Sequence, residues 1–174
     1  MRRLPRAAAV AWLLLSGTRL AVAQDTSPGA LVSGTVRQLL LDPTTYAPMV
    51  VAWEATRLDW RSSQTFFERG WLEHNARFTV SGHDDDVAIG YAAGNRQILF
   101  DALANLQLSV LNNVTARVTE RLLLPRYPTH RKLVRAIGWA ERSVMASYLT
   151  YRLSAGHFQQ WQENEQRARA LGFD

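Results

Sequence analysis

The chain has 174 residues, 20 basic against 15 acidic, and no cysteine. The absence of thiols excludes disulfides, thiolate metal centres, covalent c-type haem attachment and cysteine nucleophiles. A domain of about 150 residues buries roughly 68–70% of its unfolded surface, so packing alone is enough to hold a single domain of this size together.

The first 23 residues predict an address. Arg2, Arg3 and Arg6 precede an apolar run from Ala7 to Leu15, and Ala21-Val22-Ala23 supplies the small-x-small pattern before Gln24; together these read as a cleavable export signal of the bacterial type. The apolar run is far short of the roughly 20 residues that cross a bilayer. The expected mature chain is therefore residues 24–174, periplasmic or secreted, with no transmembrane segment. Removing Arg2, Arg3, Arg6 and Arg19 from the 20 basic residues leaves 16 against 15 acidic, a net charge of +1. The high whole-chain pI belongs mainly to the targeting segment, which argues against nucleic-acid binding and against steady attachment to a membrane surface.

After a short polar leader, Ala30 to Leu41 carries Leu31, Val32, Val36, Leu39 and Leu40 at helical spacing, stopped by Asp42-Pro43. Tyr46 to Trp60 reads as a second helix with Pro48 in its first turn. Thr65-Phe66-Phe67-Glu68 has the form of a capping box for a further short helix, with Gly70 as its C-terminal stop. From Ala76 to Tyr91 alternation replaces helical spacing, which fits a short β-hairpin or a loop insertion. Asn95 is the expected cap of a helix to about Leu124, with Leu99, Leu103, Leu106, Val110, Val114, Val118 and Leu122 as its core stripe. Pro125 and Pro128 bracket a turn, Thr129 is the next expected cap, and Leu133, Ile137, Ala140, Val144, Tyr148 and Tyr151 form the next stripe. A break is expected at Ala155-Gly156. Two long helices joined by a short turn predict an antiparallel pair, and the chain as a whole an all-α small helical bundle.

Chemistry-bearing residues are present without a linear motif. Arg126, His130, Arg131, Lys132 and Arg135 crowd the turn between the long helices, and three of them fall where a helix dipole is already positive. An anionic ligand or an acidic partner would relieve that conflict. His74, His83 and Asp84-Asp85-Asp86 contain competent metal ligands, but the spacing matches no helix-borne pair or calcium loop, so a solvated turn is expected and no metal. Glu54, Asp59, Glu68, Glu73 and Glu120 are the carboxylates from which an acid–base pair would have to be assembled; their spacing to Arg57, Arg61, Arg69 and Arg77 predicts surface ion pairs instead. Trp53, Arg57 and Trp60 share a helical face, and aromatic and Arg side chains are enriched in binding hot spots. Four histidines give no case for non-covalent haem, so no cofactor is expected. The resulting expectation is an exported bacterial envelope protein acting as a binding or structural module for a protein partner or anionic ligand. The alternative is a periplasmic hydrolase whose carboxylates come from separate helices.

Overall fold

The structure, a computed structural model, describes residues 28–173, with side chains from Gly34 onward. The export signal and its cleavage point lie outside the described residues. Four α-helices account for most of the chain: α1 (Pro28–Leu41), α2 (Pro43–Phe67), α3 (Tyr91–Arg126) and α4 (Arg131–Leu171). The all-α class expected from the sequence is what the described residues adopt, and none of these helices is long and apolar enough to cross a membrane.

Asp42 ends α1 and starts α2. Its carboxylate accepts the Thr44 backbone N–H at 3.1 Å and the Thr44 hydroxyl at 2.7 Å, and Pro43 occupies the first turn where its missing N–H is harmless. Pro48 is tolerated one turn later, and α2 runs through the predicted short helix as far as Phe67. There Gly70 takes a left-handed conformation (φ 82°), and the Gly70 and Trp71 amides return to the Phe67 and Phe66 carbonyls. The Phe66 and Trp71 rings meet at 5.2 Å, the apolar contact that accompanies this kind of helix stop. Gly172 repeats the device at the end of α4, where the Phe173 ring packs 5.8 Å from Phe66.

The segment between α2 and α3 forms no strand among the described residues. It is an ordered loop with a 3-10 turn (Ala76–Phe78) and two isolated antiparallel bridges, Glu73 with Asp86 and Thr79 with Ala88. The acidic run is consumed in holding it: Asp84 accepts the Ala76 N–H at 3.0 Å and Asp85 pairs with His74. Trp60, Phe78 and Ile98 make the aromatic core beneath the loop, with Phe67, Ala88 and Ile89 against it. Gly94 is required there, because a Cβ would fall 2.2 Å from the Trp60 ring.

Side-chain contacts set the helix directions. Thr45 meets Asn113 and Trp60 meets Gly94, so α2 and α3 run oppositely; Asp42 meets Arg142, and Asp59 meets His157, so α2 and α4 run the same way.

Several expectations are corrected. Asn95 lies inside α3, whose cap position is Gly90, and Thr129 lies in a 3-10 turn (Pro128–His130) that leads into α4. Helix α4 passes Ala155-Gly156 without a break, held by Arg142 at Asp42 before the glycine and by His157 at Asp59 and Asn164 at Ser62 after it. The apolar stripes do not form the core. Leu99, Leu103, Val118 and Leu122 on α3 are exposed, as are Leu133, Ile137, Val144, Tyr148 and Tyr151 on α4. The faces turned inward carry Ser109 and Asn113 beside Ile98, Ala102 and Leu124 on α3, and Arg142, Ser154 and Asn164 on α4.

Candidate functional site

The α2–α4 seam carries a polar cluster at one end and a cleft at the other. At the first end Asp42 receives Arg117, with Arg142 Nε at 3.4 Å, while Arg142 also reaches Glu120 at 3.2 Å and Arg117 donates to Gln38 Oε1 at 3.0 Å. Burial and the neighbouring Arg142 charge pull the Arg117 guanidinium downward, with Asp42 opposing them. Asn113 beside it donates to both Thr44 and Thr45 hydroxyls, at 3.0 and 2.8 Å. A buried asparagine able to set the register of an oligomer is thus occupied within its own chain. This cluster ties α1, α2, α3 and α4 together through paired side chains, which gives it a structural role.

The other end opens into a cleft of about 600 Å³ between the last turns of α2, residues 152–167 of α4 and the loop at 71–75. That volume lies within the range of small-molecule sites, roughly 300–1,000 Å³. Trp60, Phe66, Phe67 and Trp71 supply its apolar wall. On the seam side, His157 Nδ1 lies 2.7 Å from Asp59 Oδ2. A carboxylate can only accept, so Nδ1 carries the proton and Nε2 is left to meet a ligand. Asp59 is fixed in turn by its backbone, since the Ser62 and Ser63 hydroxyls donate to its carbonyl at 2.9 and 3.0 Å. Asn164 donates to both serines, and Gln160 donates to Asn164.

Glu73 lines the cleft from the loop side. Burial pushes its carboxyl above the usual range and the Asp59 charge adds to the shift, while the Asn75 N–H, 2.8 Å from Oε1, holds it down. Arg152 and Arg167 complete the lining, and Arg167 lies over the Trp71 ring at 5.7 Å. The site therefore offers an aromatic wall, an oriented imidazole, a carboxyl biased toward its neutral form and two guanidiniums. It can bind an amphipathic molecule and exchange protons with it. The hydroxyls nearest the pair in sequence, Thr56, Ser62, Ser63 and Ser154, each donate to a backbone carbonyl, so none is hydrogen-bonded to His157 as a nucleophile.

Of the carboxylates singled out in the sequence, the fold brings Asp59 and Glu73 together and disperses the rest. Glu54 pairs with Arg57 on the surface, as its spacing suggests, and Glu120 joins the polar cluster. The expected pairing of Glu73 with Arg69 or Arg77 does not form: Arg69 donates to Thr65 and lies over Phe173, while Arg77 pairs with Asp101. Trp60 is buried in the core, whereas Trp53 stays at the surface with Arg57 5.4 Å over its ring. Among the described residues no group of three or more His, Asp or Glu side chains is placed to hold a metal.

Arg126, His130, Arg131, Lys132 and Arg135 are all exposed around the opposite end of α4, where Arg135, the nearest, is about 25 Å from Arg152 along the helix. None of the five forms an ion pair among the described residues, and His130 contacts the Thr129 hydroxyl at 2.9 Å. Sequence reasoning missed Arg152, Gln160, Asn164 and Arg167 as cleft residues. The signal was the polar periodicity of α4 at 157, 160, 164 and 167, which recurs at helical spacing. No protein-family model, curated protein or solved structure matches the chain.

Proposed function

We propose that the chain is an exported binding module of a bacterial envelope, built on α3 and α4 as the arms of an antiparallel hairpin, with its ligand seat in the 59/73/157 cleft. One observation carries this reading: an aromatic wall and the Asp59–His157 pair converge with Glu73 on one volume of ligand size. The ligand this lining suits is small, with an apolar face for Trp71 and hydroxyl, amide or carboxylate groups for His157, Gln160 and the two arginines. The 126–135 turn is a second contact surface, for an acidic partner.

The test is native mass spectrometry on the full chain, expressed in a bacterium and purified without a tag, beside the Trp71→Ala and His157→Ala variants. A stoichiometric small-molecule adduct present on the wild type and lost from both variants is the expected result. A bare wild-type chain, together with tryptophan fluorescence unmoved by a panel of sugars, amino acids and nucleosides, would refute a ligand seat.

A second reading, hydrolysis, is favoured by the raised Glu73 carboxyl across from the Asp59–His157 pair. Glu73 would serve as the proton donor and His157 as the base toward water. Turnover of the bound molecule that disappears in Glu73→Gln while binding persists would establish it.

A further inference from the structure

Helix α4 presents opposite chemistry on opposite faces. Arg142, His157 and Asn164 face α2, and at about 100° per residue the stripe Leu133, Ile137, Ala140, Val144, Tyr148 and Tyr151 centres roughly opposite them. Of these, Leu133, Ile137, Val144, Tyr148 and Tyr151 are 56% to 70% exposed. We propose that this stripe is the interface between two copies of the chain, paired antiparallel about a twofold axis near Arg142.

Three observations choose a second copy. The stripe is close to a palindrome: around position 142, Leu133 and Tyr151 are equidistant, Ala140 and Val144 likewise, and Ile137 and Tyr148 fall one residue short of it. A twofold axis therefore sets each large end residue of one copy opposite a large end residue of the other, with the small Ala140 and Val144 at the crossing, where the helices come closest. Charge favours the antiparallel direction, because a parallel pair would bring both basic 126–135 turns to the same end of the dimer, whereas the antiparallel pair puts them at opposite ends. Area suffices. Five half-exposed large side chains offer roughly 100 Å² each, or about 1,000 Å² over two copies, which reaches the lower limit of a specific interface. The stripe spans about 27 Å of helix, on the face turned away from the α2 seam, so the proposal stands independently of any ligand in the cleft.

The experiment is sedimentation velocity on the full chain at roughly 100 µM, together with Val144→Arg and Ile137→Arg, which at these exposed positions are expected to keep the wild-type circular dichroism spectrum. The wild type is expected at twice its monomer mass and both variants at the monomer mass. Because the chain has no cysteine, direction is read by oxidation. A mixture of Leu133→Cys and Tyr151→Cys chains should form mixed disulfide dimers, while neither variant alone should. A monomeric wild type, meaning that a different partner covers the stripe, or a Val144→Arg variant that remains dimeric, overturns the proposal. Self-cross-linking of Leu133→Cys alone would overturn the antiparallel arrangement.

Discussion

The inner and outer faces of α4 differ in the reverse of the usual sense, and α3 shares part of that reversal. Inward, α4 presents Arg142, Ser154 and Asn164, and α3 sets Ser109 and Asn113 between the apolar Ile98, Ala102 and Leu124; outward, both helices carry exposed leucine, valine, isoleucine or tyrosine. The inner face is held by paired polar groups whose geometry is specific: Asp42 with Arg117 and Arg142, Asn113 with Thr44 and Thr45, Asn164 with Ser62 and Ser63. Such pairs fix one register between helices, because a slip of a single turn leaves several buried groups without partners. The outer face is indifferent to register and gains only by being covered. The contrast separates what specifies the fold from what drives association.

The largest way to break the inner face is at Asp42. Asp42→Ala removes the α2 cap and leaves Arg117 and Arg142 facing each other without their shared carboxylate. Breaking a buried pair from one side costs about 3–5 kcal/mol, so urea denaturation should show a loss in that range, with a fall in midpoint at an unchanged slope. A loss below about 1 kcal/mol would mean that the cluster is solvated and not structural.

Next comes a comparison between neighbours on α3. Ile98 is 2% exposed in the aromatic core and Leu99 beside it is 52% exposed. Ile98→Ala is expected to cost about 2–5 kcal/mol and Leu99→Ala less than about 1. Equal losses would show that the outer stripe is buried within the chain after all, and would remove the contrast. Gly94→Ala ranks third, at about 1–3 kcal/mol, since the added methyl runs into the Trp60 ring rather than into a flexible side chain. Its signature is a shifted Trp60 emission along with the lost stability.

Much of this architecture is legible in the residues, and the part that is not has a physical cause. The helix stops at Asp42-Pro43 and Gly70 follow from backbone rules that act over two or three residues, and they hold in the structure. The assignment of faces does not follow, because apolar spacing marks a helical stripe without saying whether the stripe meets the same chain or another. Arg142 and Asn164 read as surface residues by type, yet each is buried against a partner at least 22 residues away in sequence. The convergence of Asp59 with Glu73 is invisible for the same reason: the left-handed Gly70 turns the loop back over α2, and only then does a sequence separation of 14 residues become a shared cleft.

Glu73 gives the smallest and most discriminating effect. Its carboxyl is raised in the folded chain by burial first and by Asp59 second, so the folded state binds its proton more tightly than the unfolded chain does. Stability linked to this group is therefore complete below the unfolded value of about 4.3 and declines as pH rises through the higher folded value. At neutral pH the ionised carboxylate weakens the fold slightly. Glu73→Gln keeps an oxygen for the Asn75 N–H and removes the charge, so it should stabilise the protein at pH 7 by about a few tenths of a kcal/mol, the half-exposed position limiting the gain. The advantage should vanish at about pH 4 and below, where the wild-type carboxyl is itself protonated. A variant less stable than the wild type at pH 7 would mean that Glu73 works in its charged form, and would point to Arg152 or Arg167 as its counter-ion across the cleft in place of the proton-donor role.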